Sequence, residues 1–288
     1  MLRKISCGVI LIFITQVLSG SSAFSKNDAS IQVKGSDTMV NLVQSWAEEF
    51  MKENPQVFVA VTGGGSGTGF AALINKSCDL AMASREIKSQ EIKLAEVKGV
   101  KPMEFKVALD GLAVVVNPKN PVGKLTLDEL AGVFTGKIKN WKELGGADAG
   151  IVILSREVNS GTHVYFKEHV LRKGDAKSRE EFSPDALLLP SSQAIADEVK
   201  QNTAAIGYYG MGYISKDQKA VWVAKNASSD YVPPKMNEIT SGHYPISRPL
   251  YLYTNGEPSE KLKGFIDFVL ADKGQAIVER MDFVPIKK

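Results

Sequence analysis

The sequence predicts an α/β fold of two lobes, each a sheet flanked by helices, with the ligand cleft between them. Three observations predict it. Runs with the two-residue period of strands alternate with runs of helical period along the chain. Turns rich in glycine and hydroxyl residues repeatedly join the end of a strand to the start of a helix. A late strand, over 249–253, reads as a return across the protein after a long central section. Strands alternating with helices call for sheets covered on both faces.

The 288 residues allow one large domain or two smaller ones on a scale of roughly 100–200 residues each. A hydrophobic fraction of 44%, with 23% charged residues, 25 Gly and 12 Pro, excludes disorder, collagen and long coiled coil. Lys and Arg total 35 against 32 for Asp and Glu. That net charge of +3 gives no electrostatic footprint for nucleic acid, so any anion affinity must be local.

A short strand over 31–33 is followed by a helix over 38–53, which places Met39, Val43, Trp46, Ala47 and Phe50 on one face until Asn54-Pro55 stops it. A strand over 57–61, a glycine-rich turn over 63–69, a helix over 70–74 and a strand over 80–82 complete a β-α-β-α-β series. After a helix over 91–97, strands over 105–109 and 112–116 bracket Asp110-Gly111, where the chain crosses between lobes. A helix and a loop over 125–141, a strand over 151–154 and a helix over 160–171 resume the alternation. A polar surface connection over 173–184 leads to a helix over 192–200 and an apolar segment over 206–214. Helices over 260–270 and 274–281 end the chain. Residues 24–111 and 246–288 are expected in the first lobe and residues 112–245 in the second.

Arg3 and Lys4 precede an apolar run over 5–14, extended by Val17 and Leu18 and followed by Ser21-Ser22-Ala23. That is the layout of a secretory signal peptide over residues 1–23. Its apolar core is shorter than the about 20 residues that span a bilayer, so cleavage and a soluble exported protein, periplasmic and monomeric, are expected. Losing this segment removes two basic and no acidic residues, which brings the formal net charge to +1. Cys7 leaves with it, and Cys78, then alone, excludes an internal disulfide and reads as a small buried residue near a strand.

Three loops suit an oxyanion. Gly35-Ser36-Asp37-Thr38 and Gly63-Gly64-Gly65-Ser66-Gly67-Thr68-Gly69 both run from a strand into a helix, offering hydroxyls and free backbone N–H groups. Ser155-Arg156-Glu157-Val158-Asn159-Ser160-Gly161-Thr162 adds a guanidinium, further hydroxyls and the Gly161 N–H. Each loop alone is also an ordinary helix cap or turn; it is their number that points to a ligand. Helix N-termini contribute about 0.3–2 kcal/mol each towards an anion, and charge-assisted hydrogen bonds roughly 1.5–3 kcal/mol. A dozen pre-organised donors could replace the water around a small dianion.

Other motifs fail. The glycine run lacks the Lys-Ser/Thr pair of a P-loop and the last glycine of G-x-G-x-x-G. Gly64-Gly65-Ser66-Gly67 runs into Thr68, where a nucleophile elbow needs glycine, which leaves a hydrolase using Ser66 as a distant alternative. His163 and His169 share no helix face for metal or acid–base work, and with His243 they read as packing or surface residues. Trp46, Trp141, Tyr208, Tyr209 and Tyr213 fit core packing better than sugar stacking.

Together with Asp79-Leu80-Ala81-Met82-Ala83-Ser84-Arg85, the segment Asp110-Gly111-Leu112 through Asn117-Pro118, Phe134-Thr135-Gly136-Lys137 through Trp141, and the ending Phe283-Val284-Pro285-Ile286, these loops resemble the phosphate-binding proteins of ABC-type uptake systems, within the type II periplasmic binding protein fold. The resemblance runs from about Ile31 to the C-terminus, and Arg156-x-x-x-Ser160-Gly161-Thr162 is its most specific motif. It implies capture of inorganic phosphate, delivery to a membrane ABC permease, no cofactor or metal and no catalysis. Thr38, the Met39 N–H and Ser66 would bind from the first lobe; Arg156, Ser160, Gly161 and Thr162 would close from the second. Where the best-known branch places an aspartate that accepts the ligand's proton, this sequence aligns Arg85, a second guanidinium or half of a cross-cleft ion pair. Asp37 and Asp110 are then the candidate acceptors, which would separate monohydrogen phosphate from sulfate. Sulfate, molybdate or another oxyanion remains the alternative ligand.

Overall fold

The computed structural model describes residues 30–286. The signal peptide and Cys7 lie outside the described residues. The first lobe opens with β1 (Ser30–Gly35), a 3-10 turn over Asp37–Met39, α1 (Val40–Glu53), β2 (Phe58–Thr62), α2 (Ser66–Ile74), β3 (Leu80–Ala83) and α3 (Ser89–Val97). β4 (Pro102–Val116) carries the chain into the second lobe: β5 (Lys124–Thr126), α4 (Leu127–Phe134), β6 (Val152–Arg156), α5 (Gly161–Phe166) continued by a π turn over Lys167–Leu171, β7 (Leu187–Leu189), α6 (Ser192–Gln201), β8 (Ala205–Gly210), β9 (Lys219–Ala220), β10 (Trp222–Ala224) and α7 (Met236–Thr240). β11 (Ser247–Asn255) returns, and α8 (Glu260–Leu270) and α9 (Asp272–Arg280) finish on the first lobe.

The sheet runs β2-β1-β3-β11-β4-β8-β6-β7, with β9 also on β4 and β5 paired separately with β10. β1, β2 and β3 are parallel, which brings the three turns that follow them to one edge. β6 is parallel to β8 and β7 in the second lobe. The lobes share β4, which pairs with β11 from Pro102 to Gly111 and with β8 from Leu112 to Val116. Buried apolar side chains divide in the same way. One group joins Ile31, Val33, Trp46, Leu80, Leu250, Phe265 and Val278; another joins Leu112, Val114, Phe134, Trp141, Phe166, Tyr208 and Ile246.

The 3-10 turn and α1 bury Met39, Val43, Trp46, Ala47 and Phe50, the face the apolar spacing predicts, and Leu42 beside them. Trp46 fixes it to α9 by donating its indole N–H to the Gly274 carbonyl at 2.8 Å. The aromatic residues singled out for packing do pack: Trp46, Trp141, Tyr208 and Tyr209 are each at most 2% exposed.

Three expectations are corrected. The segments over 105–109 and 112–116 are one continuous strand, and Asp110-Gly111 is not a turn. Asp110 can lie inside a strand because Arg248 faces it in register from β11 and supplies its hydrogen bonds. Helix α2 begins at Ser66 instead of Phe70, taking part of the glycine run into its first turn. The helix over 160–171 changes to a π turn after Phe166. β5, β7, β9 and β10 are two or three residues long, too short to show a period.

Candidate oxyanion site

Three serines close the first-lobe half of the site, one from each turn after β1, β2 and β3. Gly35 ends β1 with φ +143°, and a Cβ there would lie 2.1 Å from the Met82 carbonyl oxygen, so only glycine lets β1 pass β3 this closely. The following Ser36 N–H donates to Met82 O at 2.8 Å. Ser36 Oγ donates to Ser84 Oγ at 2.9 Å, Ser66 Oγ accepts from the Ser84 N–H at 3.1 Å, and Ser66 and Ser84 hydroxyls lie 3.4 Å apart. All three are at most 2% exposed. This is the carboxyl edge of parallel strands, where open α/β sheets place their ligands.

The second lobe presents the turn after β6. Ser160 Oγ caps its own helix, accepting from the N–H groups of Thr162 and His163 at 3.2 and 3.5 Å. Thr162 Oγ1 lies 2.8 Å from Thr38 Oγ1, a direct hydroxyl contact between lobes. A Cβ on Gly161 would stand 2.3 Å from Ser66 Oγ and 2.6 Å from Ser84 Oγ. The Asn159 amide donates to Gly64 O at 2.8 Å, and the Gly67 N–H donates to Asn159 O at 3.0 Å. Tyr213 OH donates to the Asp37 carbonyl at 2.6 Å. The lobes are therefore closed on each other, and Thr38, Ser66, Gly161 and Thr162 converge.

Arg156, 1% exposed, stands at this junction with every nitrogen engaged. Nη2 donates to Asp37 Oδ2 at 2.7 Å and Pro190 O at 2.8 Å, Nη1 to Ser192 Oγ at 3.2 Å and Nε to Leu189 O at 3.3 Å. Asp37 Oδ1 accepts from the Gly64 N–H at 2.9 Å. The Arg156–Asp37 ion pair thus bridges the two lobes.

Three other candidates sit differently from expectation. Arg85 turns its guanidinium into its own lobe, pairing both Nη atoms with Glu91 at 2.8 and 2.7 Å, and lies over the Phe70 ring. Ser84, one residue earlier, occupies the hydroxyl cluster instead, because side chains alternate across a strand edge. The Met39 N–H is spent on the Ser36 carbonyl at 3.0 Å, closing the 3-10 turn. Asp110, wholly buried, accepts from the Met211 N–H through Oδ1 and from Arg248 Nε and Nη2 through Oδ2. Burial pushes its carboxyl up and Arg248 pulls it back. Ser36, Ser84 and Arg248 are the residues sequence reasoning left off the site. The two serines lie inside motifs already singled out, whereas Ser247-Arg248-Pro249 carries no local signal.

His163 is buried beside the site, its Nδ1 donating to Arg156 O at 2.8 Å. Burial, first among its causes, lowers its pKa from 6.5 to about 4. The native state holds the neutral ring while the unfolded chain takes up a proton near pH 6.5. The resulting stability is present above that pH and is lost as pH falls towards 4, by roughly 3 kcal/mol at about 1.4 kcal/mol per pKa unit. Urea unfolding at pH 7 and pH 4 should show this loss in the wild type and a smaller one in His163→Asn. Cys78 lies next to β3 as the sequence suggests but is only half-buried, and burial pushes its thiol up to about 12. Among the described residues no cluster of metal-ligating side chains occurs, and no helix is long and apolar enough to cross a membrane.

Two lobes joined through paired crossing strands, with a buried cluster of hydroxyls and guanidinium groups where they meet, define a periplasmic-type solute-binding protein. The chain belongs to the PBP superfamily, whose domain matches residues 20–273, and within it to the PstS phosphate-binding proteins. It is 33% identical over 283 residues to the phosphate-binding protein PstS of Pseudomonas aeruginosa strain PAO1, covering 92% of this chain and 85% of that one. It is 32% identical over 262 residues to PstS of Bacillus subtilis, with 91% and 82% covered. A substrate-binding protein from Clostridium perfringens, assigned to phosphate ABC transport and solved with phosphate bound, superposes with a TM-score of 0.81 at 32% identity, covering 90% of this chain and all of that one. An ABC-type phosphate transport receptor from Vibrio cholerae gives 0.69 at 29% identity, covering 88% and 99%.

Proposed function

We propose that this protein captures inorganic phosphate between its lobes and delivers it to a membrane ABC permease, acting as an exported monomer after residues 1–23 are removed. The observation that carries this reading is the convergence of Thr38, Ser66, Gly161 and Thr162, from turns far apart in sequence, on one buried locus. Residues 24–111 and 246–288 form the phosphate-receiving lobe and residues 112–245 the closing lobe. The change of partner along β4 after Gly111, from β11 to β8, supports that division.

Hydroxyls and backbone N–H groups supply the donors, and Arg156 supplies the charge. Asp37 is the acceptor for the ligand's proton: each of its oxygens takes one N–H and keeps a lone pair. Asp110 is committed to Arg248 and Met211. No covalent step is part of this function. Among the described residues Ser66 Oγ is hydrogen-bonded to Ser84 and not to a base, and His163 gives its Nδ1 to Arg156 O.

Titration calorimetry of the protein at neutral pH tests the reading. Phosphate should bind with a measurable heat, and sulfate and molybdate should fail to displace it in competition. No phosphate heat well into the millimolar range, or displacement by sulfate at equal concentration, would overturn it.

A further inference from the structure

Three arginines are buried around the cleft, and their nitrogens are spent unequally. Arg85 has given both Nη atoms to Glu91, on its own lobe, and keeps only a buried Nε without a partner. Arg156 has no unused nitrogen. Arg248, 2% exposed, has committed only one side of its fork. Nε and Nη2 hold Asp110 at 3.1 and 2.9 Å, and Nη2 also donates to Thr162 Oγ1 at 2.9 Å and Thr38 Oγ1 at 3.3 Å. Nη1 is buried and has no hydrogen-bond partner.

We propose that Arg248 is a ligand-contacting residue of the oxyanion site, offering the Nη1 donors to the anion that Thr38 and Thr162 hold, an inference that rests on the phosphate reading above. Three observations support it. Nη1 belongs to the same planar group that touches both threonine hydroxyls, so an anion at those hydroxyls is within the reach of the fork. A buried N–H₂ without an acceptor is costly to the empty protein and is relieved when an oxyanion arrives. Arg248 also borders a cavity of about 440 Å³, lined by Arg85, Lys88, Tyr165, Tyr251 and the carboxylates of Glu86 and Glu168, so the guanidinium is next to open space.

The remaining parts of the guanidinium then have defined tasks. Nη2 donates to both threonine oxygens, and because one hydroxyl proton is spent between Thr38 and Thr162 themselves, the other is left to point at the ligand. Asp110 balances the charge while the cleft is empty, and its place opposite Arg248 in the β4–β11 ladder fixes the fork on the strands that join the lobes. Sequence reading assigned the second guanidinium to Arg85, whose Nε is also buried without a partner; the unspent donor on the group that touches both threonine hydroxyls is Nη1 of Arg248.

The test compares phosphate titrations of the wild type with those of Arg248→Lys and of the double variant Asp110→Asn/Arg248→Gln. The double variant removes both buried charges while keeping amide donors for the threonines, so it guards against a result caused by unfolding. Both variants should melt cooperatively, bind phosphate at least ~10-fold more weakly, and show a smaller phosphate-induced rise in melting temperature. The guanidinium resonance of Arg248, identified as the one lost in Arg248→Lys, should shift on phosphate addition in the wild type. Wild-type affinity in both variants, or a resonance that phosphate does not move, overturns the assignment while leaving phosphate capture intact. A wild type that binds no phosphate overturns the functional reading and this inference with it.

Discussion

Arg156→Ala should weaken phosphate binding by about 2–5 kcal/mol, the usual cost of truncating one partner of a buried, hydrogen-bonded charge pair. Arg156 is 1% exposed and is held in place by three acceptors of its own lobe, Leu189 O, Pro190 O and Ser192 Oγ, while Nη2 reaches Asp37 across the cleft. Alanine therefore removes a pre-positioned positive charge and also the bridge that helps the lobes close. It leaves Asp37, the first-lobe carboxylate, facing an incoming anion without compensation, so like-charge repulsion adds to the lost attraction. Calorimetry on the purified variant reads the effect directly. Affinity equal to that of the wild type would remove Arg156 from the site. Arg156→Lys should recover only part of the loss, because an ammonium cannot reproduce the planar fork that satisfies Pro190, Ser192 and Asp37 together.

Gly161→Ala should abolish tight binding by a different route. The added methyl would sit 2.3 Å from Ser66 Oγ and 2.6 Å from Ser84 Oγ, distances at which something must move. Within the second lobe the residue is the first of α5 and its φ is not among the positive values, so alanine is tolerated by the local backbone. The clash arises only across the cleft. The variant is thus expected to keep the wild-type unfolding midpoint but to stay open when phosphate is added, and small-angle scattering should show no ligand-induced compaction. Compaction with wild-type affinity would mean that the glycine is not at the closing surface.

Much of the fold was legible because its elements are long and periodic. The apolar face of α1 appears in the sequence at helical spacing and is buried at those positions. β1, β3 and β6 announce themselves as short apolar runs ending in glycine- or serine-bearing turns, and α8 and α9 as amphipathic stretches near the end. What escaped was short or context-dependent. Leu187–Leu189 and Trp222–Ala224 are strands only because a neighbouring strand offers hydrogen bonds. Asp110-Gly111 reads locally as a turn, and becomes strand because a partner 138 residues away completes the carboxylate.

The site divides along the same line. Ser66, Gly161 and Thr162 could be picked out from loop chemistry, since strand-to-helix turns with glycine and hydroxyls leave free donors wherever they occur. The choice between Ser84 and Arg85 could not be made that way. Adjacent residues at a strand end point to opposite sides, and which side faces the cleft depends on how β3 lies against β1 and β11. Chain order therefore carries the elements and the donor-bearing turns, because both follow from side-chain period and backbone preference over a few residues. The joining of Thr38 to Thr162, of Asp37 to Arg156 and of Asp110 to Arg248 belongs to the folded molecule, because these groups are 119 to 138 residues apart and meet only when the lobes close and β4 pairs with β11.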